Sequence, residues 1–338
     1  MQQPSMCYVS IAGEDSIAAV RLLPEQDSLE LVEHTDASGM PGPMCINAER
    51  RLLYAGLRSA RQLAVYHASA DTGMLTLLDI TPLPDEPCYI SLDRSRRYLF
   101  AASYRSGKIS ITALHENGRA GETSQYLQTR PQAHCIETDS TNSIAYIPHV
   151  GRSNRIDTLR FDAASGRLKR RWWGGIRPPR GTGPRHYLFH PRLKLIYVSN
   201  EQGSSVSTYR YHAGNGRLRL LSTQSTLPPD WHGNNLVAQI RLHPNAATLY
   251  VSNRGHDSIA VFDISHDRGL PALRRNVQTE SCPRAINLTA DGQHLLAAGQ
   301  TTGRLALYQL KTDMSHPEAV RVVEIGSNPM WIESLQLR

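Results

Sequence analysis

No run of this chain approaches the roughly 18 consecutive apolar residues that a membrane-crossing helix needs, and none of its five cysteines (Cys7, Cys45, Cys88, Cys135, Cys282) falls in a CxxC pair. The first absence argues against a membrane partner. The second argues against a zinc ribbon or a redox dithiol, and an odd number of thiols fits reduced, mostly buried side chains better than a disulfide framework. The opening "MQQPSMCYVSIAGEDS" lacks a basic stretch followed by an apolar one, so a cytoplasmic chain is expected. HExxH, GxSxG and EF-hand spacings are missing as well, and the 14 histidines are scattered, so no metal site is expected. The glycine-rich "GTGPRH" is followed by no helix that would present its amides to a phosphate.

What is present is a repeat. The segments "PMCINAERRLLYAGL", "PCYISLDRSRRYLFAAS", "PRHYLFHPRLKLIYVSN" and "PRAINLTADGQHLLAAG" each run a short alternating strand, a polar turn and a second strand rich in Leu, Tyr, Val and Ala. "HCIETDSTNSIAYIPHV" and "QIRLHPNAATLYVSN" fit the same frame without the leading proline. The opening residues Met44, Cys88, His134, Arg185, Gln239, Arg284 and Met330 are spaced by 44, 46, 51, 54, 45 and 46 residues, which is the pitch of a propeller blade. A third alternating strand and a weaker fourth follow in each unit, such as "LTLLDI" and "LELVEH". The expected fold is therefore all-β: a single seven-bladed β-propeller domain over residues 1–338, built of four-stranded antiparallel blades. Its split last blade joins "MWIESL" to the N-terminal strands "YVSIA", "SIAAVRL" and "LELVEH", which closes the ring and removes its edges.

In an antiparallel blade the start of the first strand and the end of the second share one mouth of the central channel. That places His134, Arg185, His186, Gln239 and Arg284 from one register beside Arg58, Tyr104, Glu201, Arg254 and Gln300 from the other. Any one of these arginines alone reads as a solvated strand end. At repeat-equivalent positions they make a positive mouth, suited to a small polyanion, on a chain whose formal charge is already +7. The basic, aromatic stretch 168–181, "LKRRWWGGIRPPRG", is expected to be a long solvated loop. A lid over the channel or a nucleic-acid contact is the lesser reading, and a nucleic-acid partner is not expected.

The motifs "GPRHYLFHP…YVSNE…SSV", "SNRGHDSIAVF", "PRAINLTADGQHLLAAGQ" and "NPMW" resemble the seven-bladed propeller lactonases, the bacterial 6-phosphogluconolactonase type and the related fungal carboxymuconate cyclases. The resemblance runs from "YVSIAG" to "PMW". It implies hydrolysis of a small anionic lactone, 6-phosphogluconolactone-like, in cytoplasmic sugar metabolism and the pentose phosphate pathway, without metal or organic cofactor. The alternatives are a carboxymuconate-type lactonising cycloisomerase and a non-catalytic interaction platform. Family positions matched here are His134, Arg185, His186, Glu201 and Arg284. The expected catalytic set is His134, Arg185, Glu201 and Arg284, with Glu201 or His134 as general base and the arginines on the oxyanion and the acidic group. Arg58, Tyr104, His186, Gln239, Arg254 and Gln300 are expected to bind substrate. Gln239 departs from the acidic residue expected at its position, and His149 and the 168–181 loop also depart from the pattern.

Overall fold

A computed structural model describes residues 4–170, 174–310 and 317–337. They form seven antiparallel sheets of four strands each, the inner-to-outer order of a blade following the chain. The only helical turn among the described residues is the 3₁₀ turn Pro24–Gln26, and no described helix is long and apolar enough to cross a membrane. Blades 1 to 6 begin with the inner strands Pro41–Asn47, Tyr89–Leu92, Glu137–Thr138, Pro184–Phe189, Leu236–Leu242 and Pro283–Leu288.

Blade 7 is split as expected. Its inner strand Pro329–Gln336 pairs with Ser5–Ile11, and Ser16–Leu23 and Ser28–Asp36 complete the sheet. Ile332, Val9 and Ile17 are fully buried along this seam, so the closure is made by apolar packing as well as by the ladder.

Between blades the chain repeats one lock. A tyrosine in the second or, for blade 7, the N-terminal strand reaches the turn before the outer strand of the next blade. Tyr8 donates to Gly73 O at 2.6 Å, Tyr54 to Gly118 O at 2.8 Å and Tyr197 to Gly269 O at 2.6 Å. Each acceptor glycine has a positive φ (+73°, +81°, +65°) and no room for a Cβ, so the turn that offers the carbonyl requires glycine. A buried hydroxyl satisfied in this way contributes about 1 kcal/mol net.

Blade 3 departs from the regular frame. Its inner strand shrinks to Glu137–Thr138, with an isolated bridge between Ala133 and His149 upstream. Pro148 sits opposite the gap and has no N–H to give, so His134 N donates to Pro148 O at 2.9 Å and nothing returns. The loop expected over 168–181 begins later than expected, because residues 168–170 belong to the outer strand Arg167–Arg170 of blade 3, where the ladder to the third strand holds them. Residues 171–173, Trp172 and Trp173 among them, lie outside the described residues. The described part after them bridges Ile156 through Ile176. Asn154 fastens the remainder of the loop, donating to Pro178 O and Pro179 O (3.3 and 2.8 Å) and accepting from Gly183 N at 2.8 Å.

Candidate active site

The inner strands do not run evenly into the channel mouth. In blade 4 the ladder passes from Pro184↔Asn200 to His186↔Ser199, leaving Arg185 as an extra residue; in blade 6 it passes from Pro283↔Gly299 to Ala285↔Ala298, leaving Arg284. Blade 5 bulges across Ala238 and Gln239, blade 1 across Gly42 and Pro43, and blade 7 at Met330. A bulge bends its strand and re-aims the extra side chain. Gly42, Pro43, Arg185, Gln239, Arg284 and Met330 accordingly line one cavity, together with Arg58, Cys88 and Trp331.

Charge in this mouth is only partly compensated. Arg185 Nε donates to Glu201 Oε2 at 2.7 Å, and Arg254 Nη2 lies 3.3 Å from the same oxygen. Glu201 Oε1 accepts from Gln202 at 3.2 Å, so both oxygens of this carboxylate are engaged. Arg58 pairs with Glu86. Arg284 has no carboxylate or hydrogen-bond partner among the described residues. Burial, then the charges of Arg185, Arg254 and Arg58, pull its pKa down from the ordinary arginine value. Burial and Arg254 do the same to Arg185, against the opposing pull of Glu201.

Beside the arginines the channel is aromatic. His134 meets Tyr104 edge-on (centroids 5.7 Å apart) and His186 at 5.1 Å, and His186 continues to Tyr89 at 5.1 Å and Trp331 at 5.7 Å. Arg185 Nη1 lies 3.2 Å from His186 Nε2. Burial first, then Arg185, holds both histidines well below the ordinary imidazole pKa, so both are neutral at pH 7. His134 Nδ1 is buried and unpartnered. An unprotonated ring nitrogen with no partner can accept a proton from water. Among the described residues no group of three or more His, Cys, Asp or Glu is placed to hold a metal ion.

The residues expected at this mouth are distributed in four ways. Arg58, Arg185, Gln239 and Arg284 line the cavity. Glu201 and Arg254 stand behind Arg185, and His134, His186 and Tyr104 form the adjoining ring cluster. Gln300 donates to Asn328 Oδ1 at 2.7 Å and Met330 Sδ at 3.3 Å at the start of the next blade, and its Oε1 accepts from Cys282 Sγ of its own blade at 3.5 Å. His149 is structural: its Nε2 lies 3.3 Å from Asp157 and its Nδ1 3.3 Å from Pro131 O. Trp331, Met330, Cys88 and Glu86 were not expected at the site. Trp331 carried a legible signal, standing one residue after a blade-opening position in "NPMW".

A family model described as a seven-bladed β-propeller lactonase matches residues 6–333. The chain belongs to that lactonase family. The 6-phosphogluconolactonase of Enterobacter sp. (strain 638) is 33% identical over 307 residues, covering 91% of this chain and 92% of its own. That of Yersinia pestis (strain Pestoides F) is 32% identical over 327 residues, 96% of each chain. Two solved structures share the lactonase fold at lower identity. A periplasmic gluconolactonase of Pseudomonas aeruginosa superposes with a TM-score of 0.89 at 21% identity, covering 99% of this chain and all of its own. A putative 6-phosphogluconolactonase of Bacteroides fragilis gives 0.88 at 18% identity, covering 99% and 98%.

Proposed function

We propose that this lactonase-family chain hydrolyses a small phosphorylated aldonolactone of the 6-phosphogluconolactone type at the bulged mouth. The observation that carries the substrate class is the unpaired Arg284. Four guanidiniums (Arg58, Arg185, Arg254, Arg284) face the two carboxylates Glu86 and Glu201, and the remaining double positive charge matches a phosphate monoester carrying about −1.5 to −2 at pH 7. The names of the curated relatives point the same way. Five unpaired cysteines suit a cytoplasmic setting, where the reaction belongs to sugar-phosphate oxidation. The whole closed ring acts as one domain, because the cavity draws its lining from blades on every side of the channel, blades 1, 4, 5, 6 and 7 among them.

In this reading neutral His134 takes a proton from water as the water oxygen adds to the lactone carbonyl carbon. The carbonyl electron pair moves onto the exocyclic oxygen. Collapse re-forms that carbonyl and breaks the bond to the ring oxygen, which takes the proton back from His134 and leaves as a hydroxyl. The carboxylic acid then releases its proton to solvent. Glu201, with both oxygens occupied by donors, orients Arg185 and Arg254 instead of serving as the base. No metal or organic cofactor enters these steps.

A pH-stat assay with a phosphorylated δ-lactone, its unphosphorylated counterpart and a muconolactone tests the proposal. Acid release fastest from the phosphorylated lactone is expected. Release from none of them contradicts it, and conversion of the muconolactone alone replaces hydrolysis with the cycloisomerase reading.

A further inference from the structure

Three buried side-chain donors at the mouth, Arg58 Nε, Arg254 Nε and Gln239 Nε2, have no partner among the described residues, and only the amide of Gln239 is neutral. Gln239 is 1% exposed, and its Oε1 accepts the backbone N–H of Ile286, in the inner strand of the next blade, at 3.0 Å. That contact fixes which end of the amide is which, because a swapped amide would set NH₂ against N–H. The Nε2 end is therefore held in one direction, is buried, has no hydrogen-bond partner, and belongs to a side chain lining the cavity. Native proteins rarely leave a buried donor unpaired, and a catalytic role is one of the reasons they do.

Its position in the ring is equally specific. Gln239 lies in the bulge of blade 5, between the blades whose bulges present Arg185 and Arg284. The three side chains reach one space from three consecutive inner strands. Two are cations, which draw the charged end of a substrate. The third is a neutral, pre-aimed amide, and the complementary partner is a neutral oxygen that becomes negative only during reaction.

We propose that Gln239 Nε2 donates to the exocyclic oxygen of the lactone carbonyl and to the oxyanion formed there, leaving Arg284 to the phosphate. This rests on the lactone-hydrolysis reading and extends it. The pair of electrons displaced when water adds to the carbonyl carbon resides on that oxygen until the ring C–O bond breaks. A donor fixed by the Ile286 contact needs no reorganisation as the charge develops, which is the condition under which such hydrogen bonds accelerate acyl transfer.

Two substitutions test this. Gln239→Glu keeps the length and the acceptor for Ile286 N–H but loses the donor, and Gln239→Met loses both polar ends while adding no charge. Initial rates are measured for phosphorylated and unphosphorylated δ-lactones, with thermal melting as a check on folding. The expected result is a kcat lower by about a hundredfold or more in both variants and with both lactones, as for loss of one oxyanion donor. In Gln239→Met the KM for the phosphorylated lactone stays near that of the wild type, and Gln239→Glu melts as the wild type does. A kcat near the wild-type value in either folded variant overturns the role of Gln239 and leaves the lactonase reading standing, as does a loss confined to KM. A wild-type chain inert towards both lactones overturns the lactonase reading, and this inference falls with it.

Discussion

Arg185 Nε donates to Glu201 Oε2 at 2.7 Å, and the same oxygen lies 3.3 Å from Arg254. A carboxylate held this way aligns two cations across a blade boundary. Glu201→Gln should therefore act through binding: KM for a phosphorylated lactone rises several-fold or more, while the acid limb of kcat/KM stays where it is. Loss of that limb in Glu201→Gln would return the role of base to the carboxylate.

His134→Asn should instead remove the acid limb and lower kcat about a hundredfold to ten-thousandfold. Because burial and Arg185 keep His134 well below the ordinary imidazole pKa, kcat/KM of the wild type should stay flat through neutrality and fall only well below pH 6.5, the ordinary value. A fall centred at or above neutrality contradicts this assignment.

Arg284 sets function against stability. Its charge is disfavoured by burial and by three neighbouring arginines, and no acidic partner offsets that among the described residues. Replacing Arg284 with Met keeps side-chain bulk and removes the charge. The variant should unfold at a higher temperature, by about 1 kcal/mol or more at the transition, while losing most of its affinity for the phosphorylated lactone. Lower stability together with unchanged KM would show that Arg284 is a structural residue.

At the C-terminal end of the inner strands the channel holds Glu333, which accepts from Trp331 Nε1 at 2.8 Å. Arg241 and Glu137 act on it with opposite sign, Tyr89 donates to Glu137, and burial dominates, raising the pKa of Glu333 from 4.5 to about 7. The folded state thus holds a proton that the unfolded chain gives up above pH 4.5. This contribution is fully present below that pH and is lost as the pH rises to about 7. Glu333→Gln should flatten the stability profile over this window, measured by denaturant unfolding at several pH values. An unchanged slope would contradict the linkage.

The ring was legible in the sequence because seven strand openings recur at near-constant pitch, and the split blade followed from the leftover strands at both ends. The charged mouth was legible for the same reason, since Arg185, Arg284 and Arg254 sit at repeat-equivalent positions. What escaped was finer than a pitch can carry. A bulge is one extra residue against one partner, and only the ladder shows that Arg185, Gln239, Arg284 and Met330 are the extra residues. Glu86 lies between blades, where no repeat register predicts its pairing with Arg58. The shortened inner strand of blade 3 turns on Pro148, whose missing N–H matters only once its partner strand is known.

The most direct measurement is a crystal structure of the protein with the ring-opened product, 6-phosphogluconate, bound. The account predicts phosphate density within hydrogen-bond reach of Arg284 and the new carboxylate beside Gln239 and Arg185. Product bound at the Arg241 end of the channel, or on the outer faces of the blades, would contradict it.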